Sequence, residues 1–197
     1  MTPARGFATA EFEMRLARAQ SGLKANGADA LLLTTPAEFY YFTGFLTRFW
    51  ESPTRPWYLF IPAEGKPIAV IPAIGEPLMS SCFVGDILTW PSPAPDGDGT
   101  PLLAEVIKDR AFGTIATPDG AETHMRMPLS NFRRLEDLVA PAQIVSDQGL
   151  VAQMRATKSA AEIVKIEHAC AIASRAFARV GEIATEGVPL STVFRKF

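Results

Sequence analysis

Apolar and polar positions along this chain assign most of its elements before any chemistry is considered. Phe12, Leu16, Ala19 and Leu23 share one side of a helix that Thr9 can cap and that ends at Asn26-Gly27. Ala30-Leu-Leu-Leu-Thr34 is a continuous apolar run, the pattern of a central strand covered on both faces, and Pro36 closes it. The aromatic stretch 37–45 ends in Thr43-Gly44 and predicts a short helix broken by a glycine turn. Runs at 57–62 and 67–71, joined by Ala63-Glu-Gly-Lys66, predict an antiparallel hairpin. Beyond it the pattern gives a short helix at 76–83, a strand at 86–90 and a turn-rich surface loop at 91–99. A helix at 101–110 turns Leu102, Leu103, Val106 and Ile107 inward, followed by a strand at 114–116, a helix at 128–139 and a short strand at 143–145.

Strands and helices thus alternate, with one hairpin, through about residue 147. That order argues for an α/β domain, residues 1–150, with a mixed β-sheet flanked by helices. The pattern changes between Asp147 and Ser159. Ser159 and Glu162 form an S-x-x-E capping box, and Ile163, Ile166, Cys170, Ala173, Phe177, Val180 and Ala184 then recur at steps of three and four. One long helix is expected, stopped by Glu186-Gly187, with a stripe that requires a covering surface. Residues 188–197 begin a further helix with Ser191 as a possible cap. Residues 151–197 therefore read as a linker and the first helices of a second domain, of which the rest is absent. An uncovered stripe is expected either to stay exposed or to pack against another copy of the chain.

Composition narrows the functional classes. The chain has 197 residues, 48% of them apolar, and a net charge of −2, which describes a soluble globular protein with material for a real core. No basic stripe suits a nucleic acid, no apolar run approaches the length of a membrane span, and no cleavable leader pattern is visible. Cys82 and Cys170 lie in apolar surroundings and are expected to be buried free thiols, in keeping with a reducing cytoplasm.

Catalytic chemistry is hard to find. The two histidines, His124 and His168, have no metal-ligand spacing, so a loop role is expected for the first and a partly exposed helix position for the second. No G-x-S-x-G elbow or phosphate-binding glycine loop is present. One cluster stands out, Arg48-Phe-Trp-Glu-Ser-Pro-Thr-Arg-Pro-Trp57. Its cations and aromatics, set among prolines, suggest an ordered loop that presents a recognition surface. Trp57 begins a strand and belongs to the core. Arg48, Phe49, Trp50 and Glu51 are either contacts to a ligand or interface, or residues that simply pack under the loop.

Several segments resemble one family. Phe39-Tyr-Tyr-Phe-Thr-Gly-Phe45 resembles the Y-x-T-G-F turn of the creatinase, prolidase and aminopeptidase P group, the pita-bread metallohydrolases. Asp29-Ala-Leu-Leu-Leu-Thr-Thr-Pro36 resembles the strand before that turn. Arg155-x-x-Lys158-Ser159-x-x-Glu162-Ile163-x-x-Ile166-x-x-Ala169 resembles the junction between the family's N-terminal and catalytic domains. The resemblance implies a non-catalytic N-terminal region that contributes dimer contacts and part of a substrate-pocket wall. It also implies that the divalent metal pair (Mn, Co or Zn) sits in the absent catalytic domain, where a metal-bound hydroxide attacks a C–N bond of a small peptide or amide. In such homodimers the loop after the T-G-F turn is placed to reach the neighbouring active site. Arg48 then pairs with a carboxylate while the aromatics exclude water. The competing reading is a stand-alone interaction module derived from a pita-bread relative without catalysis.

Overall fold

The computed structural model describes residues 2–52, 55–94, 98–110 and 112–197, without the side chain of Glu51. Contacts divide the chain into two units, Phe7–Thr157 and a second made of Met1–Gly6 with Lys158–Phe197. The first unit is built on a sheet of six strands in the order β4-β3-β2-β1-β5-β6. These strands are β1 (Ala30–Leu33), β2 (Tyr58–Pro62), β3 (Ile68–Pro72), β4 (Ile87–Trp90), β5 (Thr114–Thr117) and β6 (Gln143–Ser146). The sheet is mixed, as the sequence predicts. β2 runs antiparallel to both of its neighbours, and the remaining pairs are parallel.

Side-chain alternation splits the core into two layers. Leu31 and Leu33, Leu59 and Ile61, and Ala69 and Ile71 face one side. There they meet α1 (Thr9–Ala25), α2 (Pro36–Thr43) and α6 (Leu150–Ala156) through Leu16, Leu23, Phe39, Phe42, Val151 and Met154. Leu32, Tyr58, Phe60, Ile68 and Val70 face the other side. They are covered by α4 (Thr100–Asp109) and α5 (Leu129–Val139), chiefly through Leu103, Ile107, Leu135 and Val139. Each large aliphatic or aromatic side chain buried in this way contributes about 1.5–3 kcal/mol. The α6 helix, which the hydrophobic pattern does not single out, belongs to this first unit.

Asp29 fixes the start of the central strand. Its carboxylate accepts from the amides of Gly113 (2.8 Å) and Thr114 (2.9 Å), while its own carbonyl accepts from Ala63 N at 2.8 Å. One residue thereby sets the register of β1 against both β5 and β2. At the other end of β1, Glu38 Oε2 accepts from Thr35 N (2.9 Å) and Thr35 Oγ1 accepts from Glu38 N (3.4 Å). This capping box, with Pro36 in the first turn, converts strand into helix within two residues. The helix ends on Gly44, whose left-handed φ of 78° lets its amide return to the Tyr40 carbonyl.

Several details depart from the sequence reading. Ala8 rather than Thr9 caps α1, because Glu11 N already bonds the Ala8 carbonyl at 2.9 Å and draws Thr9 into the helix. The helix expected at 76–83 shrinks to α3 (Glu76–Met79), preceded by a 3-10 turn at Ala73–Gly75. Leu102 is only partly buried, and Ala104 takes the place expected for it.

In the second unit, Ser159 and Glu162 do form the expected capping box at the start of α7 (Ala160–Ala178). The helix does not continue to Ala184. It breaks at Arg179, and a short α8 (Val180–Ile183) follows. Pro189, not Ser191, caps α9 (Leu190–Lys196), since its carbonyl accepts from Thr192 N (2.8 Å) and Val193 N (3.2 Å). No residue of α7 is buried, and Ile163, Ile166 and Phe177 are 46%, 46% and 66% exposed. Cys170 is exposed rather than buried because it lies on this uncovered face, whereas Cys82 is half-buried. Burial raises the pKa of the Cys82 thiol, with a side-chain hydrogen bond from Ser81 acting in the opposite sense.

Two outcomes follow from this packing. A β-carbon added to Gly75 would lie 2.4 Å from Cζ3 of the fully buried Trp57 ring. Gly75→Ala is expected to lower the unfolding free energy by about 1–3 kcal/mol, read from the urea midpoint; an unchanged midpoint would mean that the ring has room to move. In limiting iodoacetamide near pH 8, Cys170 is expected to alkylate well before Cys82. The raised pKa leaves Cys82 with less thiolate at any given pH, so its labelling should catch up only under more alkaline conditions. Equal rates by peptide mass mapping would contradict this.

Candidate functional site at the carboxyl edge of the sheet

The pairing brings the carboxyl ends of β1, β3, β4, β5 and β6 to one edge of the sheet, together with the start of β2. Open α/β sheets place their ligands outside this edge, where the direction of the connections changes. Here β1 has a parallel neighbour on one side and an antiparallel neighbour on the other. The segment that leaves α2 crosses this position.

That segment is held by its aromatics. Thr43 Oγ1 donates to the Phe39 carbonyl (2.6 Å) and accepts from Phe45 N (3.1 Å), which sends the chain back over the sheet after Gly44. Phe49–Glu51 then forms a single 3-10 turn. Trp50 points inward. Its ring lies 5.1 Å from that of Phe39, 6.4 Å from Phe45 and 5.1 Å from Trp57, mostly in edge-on or tilted contacts. Among the described residues, the indole N–H of Trp50 is buried with no hydrogen-bond partner.

Arg48 and Phe49 face outward instead. They line a pocket of about 210 Å³ with Ser52, Arg55, Trp57, Pro72, Ile74 and Ser92. Among the described residues, neither the Arg48 nor the Arg55 guanidinium is engaged in a hydrogen bond or ion pair, and the Ser92 hydroxyl is buried without a partner. Phe49 is 48% exposed. The pocket therefore offers two cations, an unpaired hydroxyl and an apolar wall, a combination suited to an anionic group attached to an apolar body.

A second cleft, of about 410 Å³, lies beside it beyond the end of β5, lined by Thr117, Asp119, Thr123, His124, Met125 and Phe132 among others. Asp119 there accepts from Ser146 Oγ at 2.6 Å. Between the two cavities stands Arg126, whose backbone amide donates to Thr34 Oγ1 at 2.8 Å. Its guanidinium donates to the carbonyls of Trp50 and Ser52. Burial lowers the Arg126 pKa from its ordinary value, although the group remains charged.

Of the four residues singled out in the sequence, the structure brings Arg48 and Phe49 to the pocket and turns Trp50 into the packing beneath it. The Glu51 side chain lies outside the described residues. Sequence reading missed Arg55, Ile74, Ser92 and Arg126 as parts of this edge. Only Arg55 carried a signal, since it stands in the same cation-rich and aromatic run; Ile74 and Ser92 arrive from distant strand ends and Arg126 from the segment between β5 and α5. Among the described residues, no group of three or more His, Cys, Asp or Glu side chains is arranged to hold a metal ion. No described helix is long and apolar enough to cross a membrane.

Comparison with known proteins agrees with this architecture. Residues 15–157 match the family model of the Creatinase/Prolidase N-terminal domain. An Xaa-Pro dipeptidase of Lactobacillus delbrueckii subsp. lactis is 27% identical over 166 residues, which covers 83% of this chain and 43% of that protein. The crystal structure of dipeptidase PepE from Mycobacterium ulcerans is similar at 25% identity with a TM-score of 0.73, covering 95% of this chain and 48% of that one. A prolidase from Thermococcus sibiricus shares the fold at 21% identity and a TM-score of 0.78, over 96% of this chain and 49% of that one. The chain thus spans less than half the length of each of these relatives. With the mixed sheet, its flanking helices and a match over most of its length, the chain belongs to the creatinase/prolidase N-terminal domain family.

Proposed function

We propose that this chain is the non-catalytic N-terminal region of a metal-dependent Xaa-Pro peptidase or creatinase-like hydrolase, in which it supplies dimer contacts and part of the substrate-pocket wall. The observation that carries this reading is the pocket at the sheet edge, where Arg48 and Arg55, their guanidinium groups unpaired among the described residues, stand beside Phe49. A guanidinium facing a small cavity recognises a carboxylate through paired hydrogen bonds, and an adjacent aromatic excludes water from that contact. The relatives named as peptidases make a peptide carboxylate the natural partner.

On this reading the catalytic metal pair belongs to a second domain, of which residues 158–197 are the first helices. Among the described residues no group of three or more His, Cys, Asp or Glu side chains is arranged to hold a metal ion, and the role proposed for this region is to orient substrate. The pocket faces the active site of the other subunit in a homodimer. Arg48 then fixes the far end of the substrate, and Phe49 sets the size of the group beside it.

Kinetics of the whole enzyme test this assignment. Arg48→Gln should raise KM for an Xaa-Pro dipeptide about tenfold or more, the loss expected for one charge-assisted hydrogen bond, with a smaller change in kcat. Phe49→Ala should alter the preference among substrates of different side-chain size. Wild-type KM and preference in both variants would rule out the pocket wall, and a monomer by light scattering would rule out the cross-subunit arrangement.

A further inference from the structure

Arg126 connects two regions of the chain that share no strand pairing. The hydrogen bond that its backbone N–H donates to Thr34 Oγ1 ties the segment around residue 126 to the end of β1. Its side chain runs the other way, donating to the carbonyls of Trp50 and Ser52, and to that of Arg55 at 3.4 Å. The guanidinium carbon also lies 5.0 Å from the centre of the Trp50 ring. One side chain thus satisfies three carbonyls of the loop and stacks against its main aromatic anchor.

Few side chains are able to do this. Loop carbonyls that belong to no ladder need donors, and a guanidinium presents five N–H groups in a fixed plane. A lysine ammonium offers three donors from a single point and cannot span carbonyls two to five residues apart while lying on an indole face. No described carboxylate pairs with Arg126, so its contacts are to the backbone and the ring. A partly desolvated cation spent on carbonyls contributes more to the geometry of a loop than to net stability. The aromatic contacts of Trp50 hold its ring in the core, but they leave the direction of the flanking residues open.

We propose that Arg126 is the positioning residue for the Arg48–Ser52 segment, holding its carbonyls so that Arg48 and Phe49 line the pocket. The hold on the loop stands on geometry alone. Its consequence for substrate selectivity rests on the pocket reading above.

Trypsin supplies a direct readout, because the Arg48–Phe49 bond lies in the held segment. In the native protein this bond should be cut slowly. Arg126→Gln should speed its cleavage about tenfold or more, in line with the loss of about 1.4 kcal/mol or more of local closure. Cleavage after the buried Arg15 of α1 should not change, which separates loop release from global unfolding. Arg126→Lys keeps the charge and the fold and should give an intermediate rate at Arg48. An unchanged rate at Arg48 in both variants, or a rise that only keeps pace with cleavage at Arg15, overturns the proposal. The same variants in the whole enzyme should lose discrimination between substrates. A released loop with unaltered discrimination overturns the substrate-facing reading of the pocket and leaves the hold of Arg126 on the loop standing.

Discussion

The central strand β1 is hydrogen-bonded along both edges and covered on both faces, and the remainder of the first unit is arranged around that condition. A strand of four residues with every side chain buried has no freedom of register, since a slip of one residue would exchange the two core layers and unpair the backbone against two neighbours. Asp29 locks the slip from one end by accepting the amides that begin β5. From the other end the chain must leave at a single point, and Thr34 and Thr35 stand there. Because β1 cannot move, the hydroxyl of Thr34 is a fixed acceptor, the Thr35 capping box starts α2 at a fixed angle, and the loop after Gly44 crosses the sheet edge at a defined place.

The pocket at that edge is built from residues that reach it by different routes. Arg48 and Phe49 arrive from the loop, Arg55 and Trp57 from the approach to β2, Ile74 from the end of β3 and Ser92 from the end of β4. Such a site inherits its precision from the sheet register. Its weakest member is the loop, which pairs with no strand. The aromatic cluster of Phe39, Phe45, Trp50 and Trp57 gives it an apolar foundation, and the guanidinium of Arg126 adds the polar contacts that the cluster cannot supply. The two terms are complementary, since stacking energies are nearly indifferent to a small rotation whereas bonds to three carbonyls are not.

How much of this was legible in the sequence depends on the range of the signal. The apolar runs at 30–33 and in β2 and β3 announce the strands, and Ser159 with Glu162 announces the start of α7, because each of these codes is local. The same T-x-x-E code at Thr35 and Glu38 was equally available and was hidden by the apolar run that ends beside it. Arg126 had no local signal at all. It lies in a segment without secondary structure, and its partners are 71 to 92 residues away, so only the closed sheet makes them neighbours. Where the reading erred on caps, at Thr9 and Ser191, a residue earlier in the chain had already offered its carbonyl to the first turn.

The two units draw on different sources of stability. In the first, apolar side chains from both faces of the sheet are buried in two layers, so its helices need little intrinsic propensity. In the second, α7 has a capping box at one end and Arg175 in its last turn, both favourable to an isolated helix, yet none of its side chains is buried. Those local terms amount to about 1–2 kcal/mol, against about 1.5–3 kcal/mol for each large apolar side chain that a covering surface would remove from water. Ile163, Ile166 and Phe177 alone therefore outweigh the caps. The capping box therefore serves to fix where the helix begins, while the larger apolar contribution of the stripe is not drawn on by burial among the described residues.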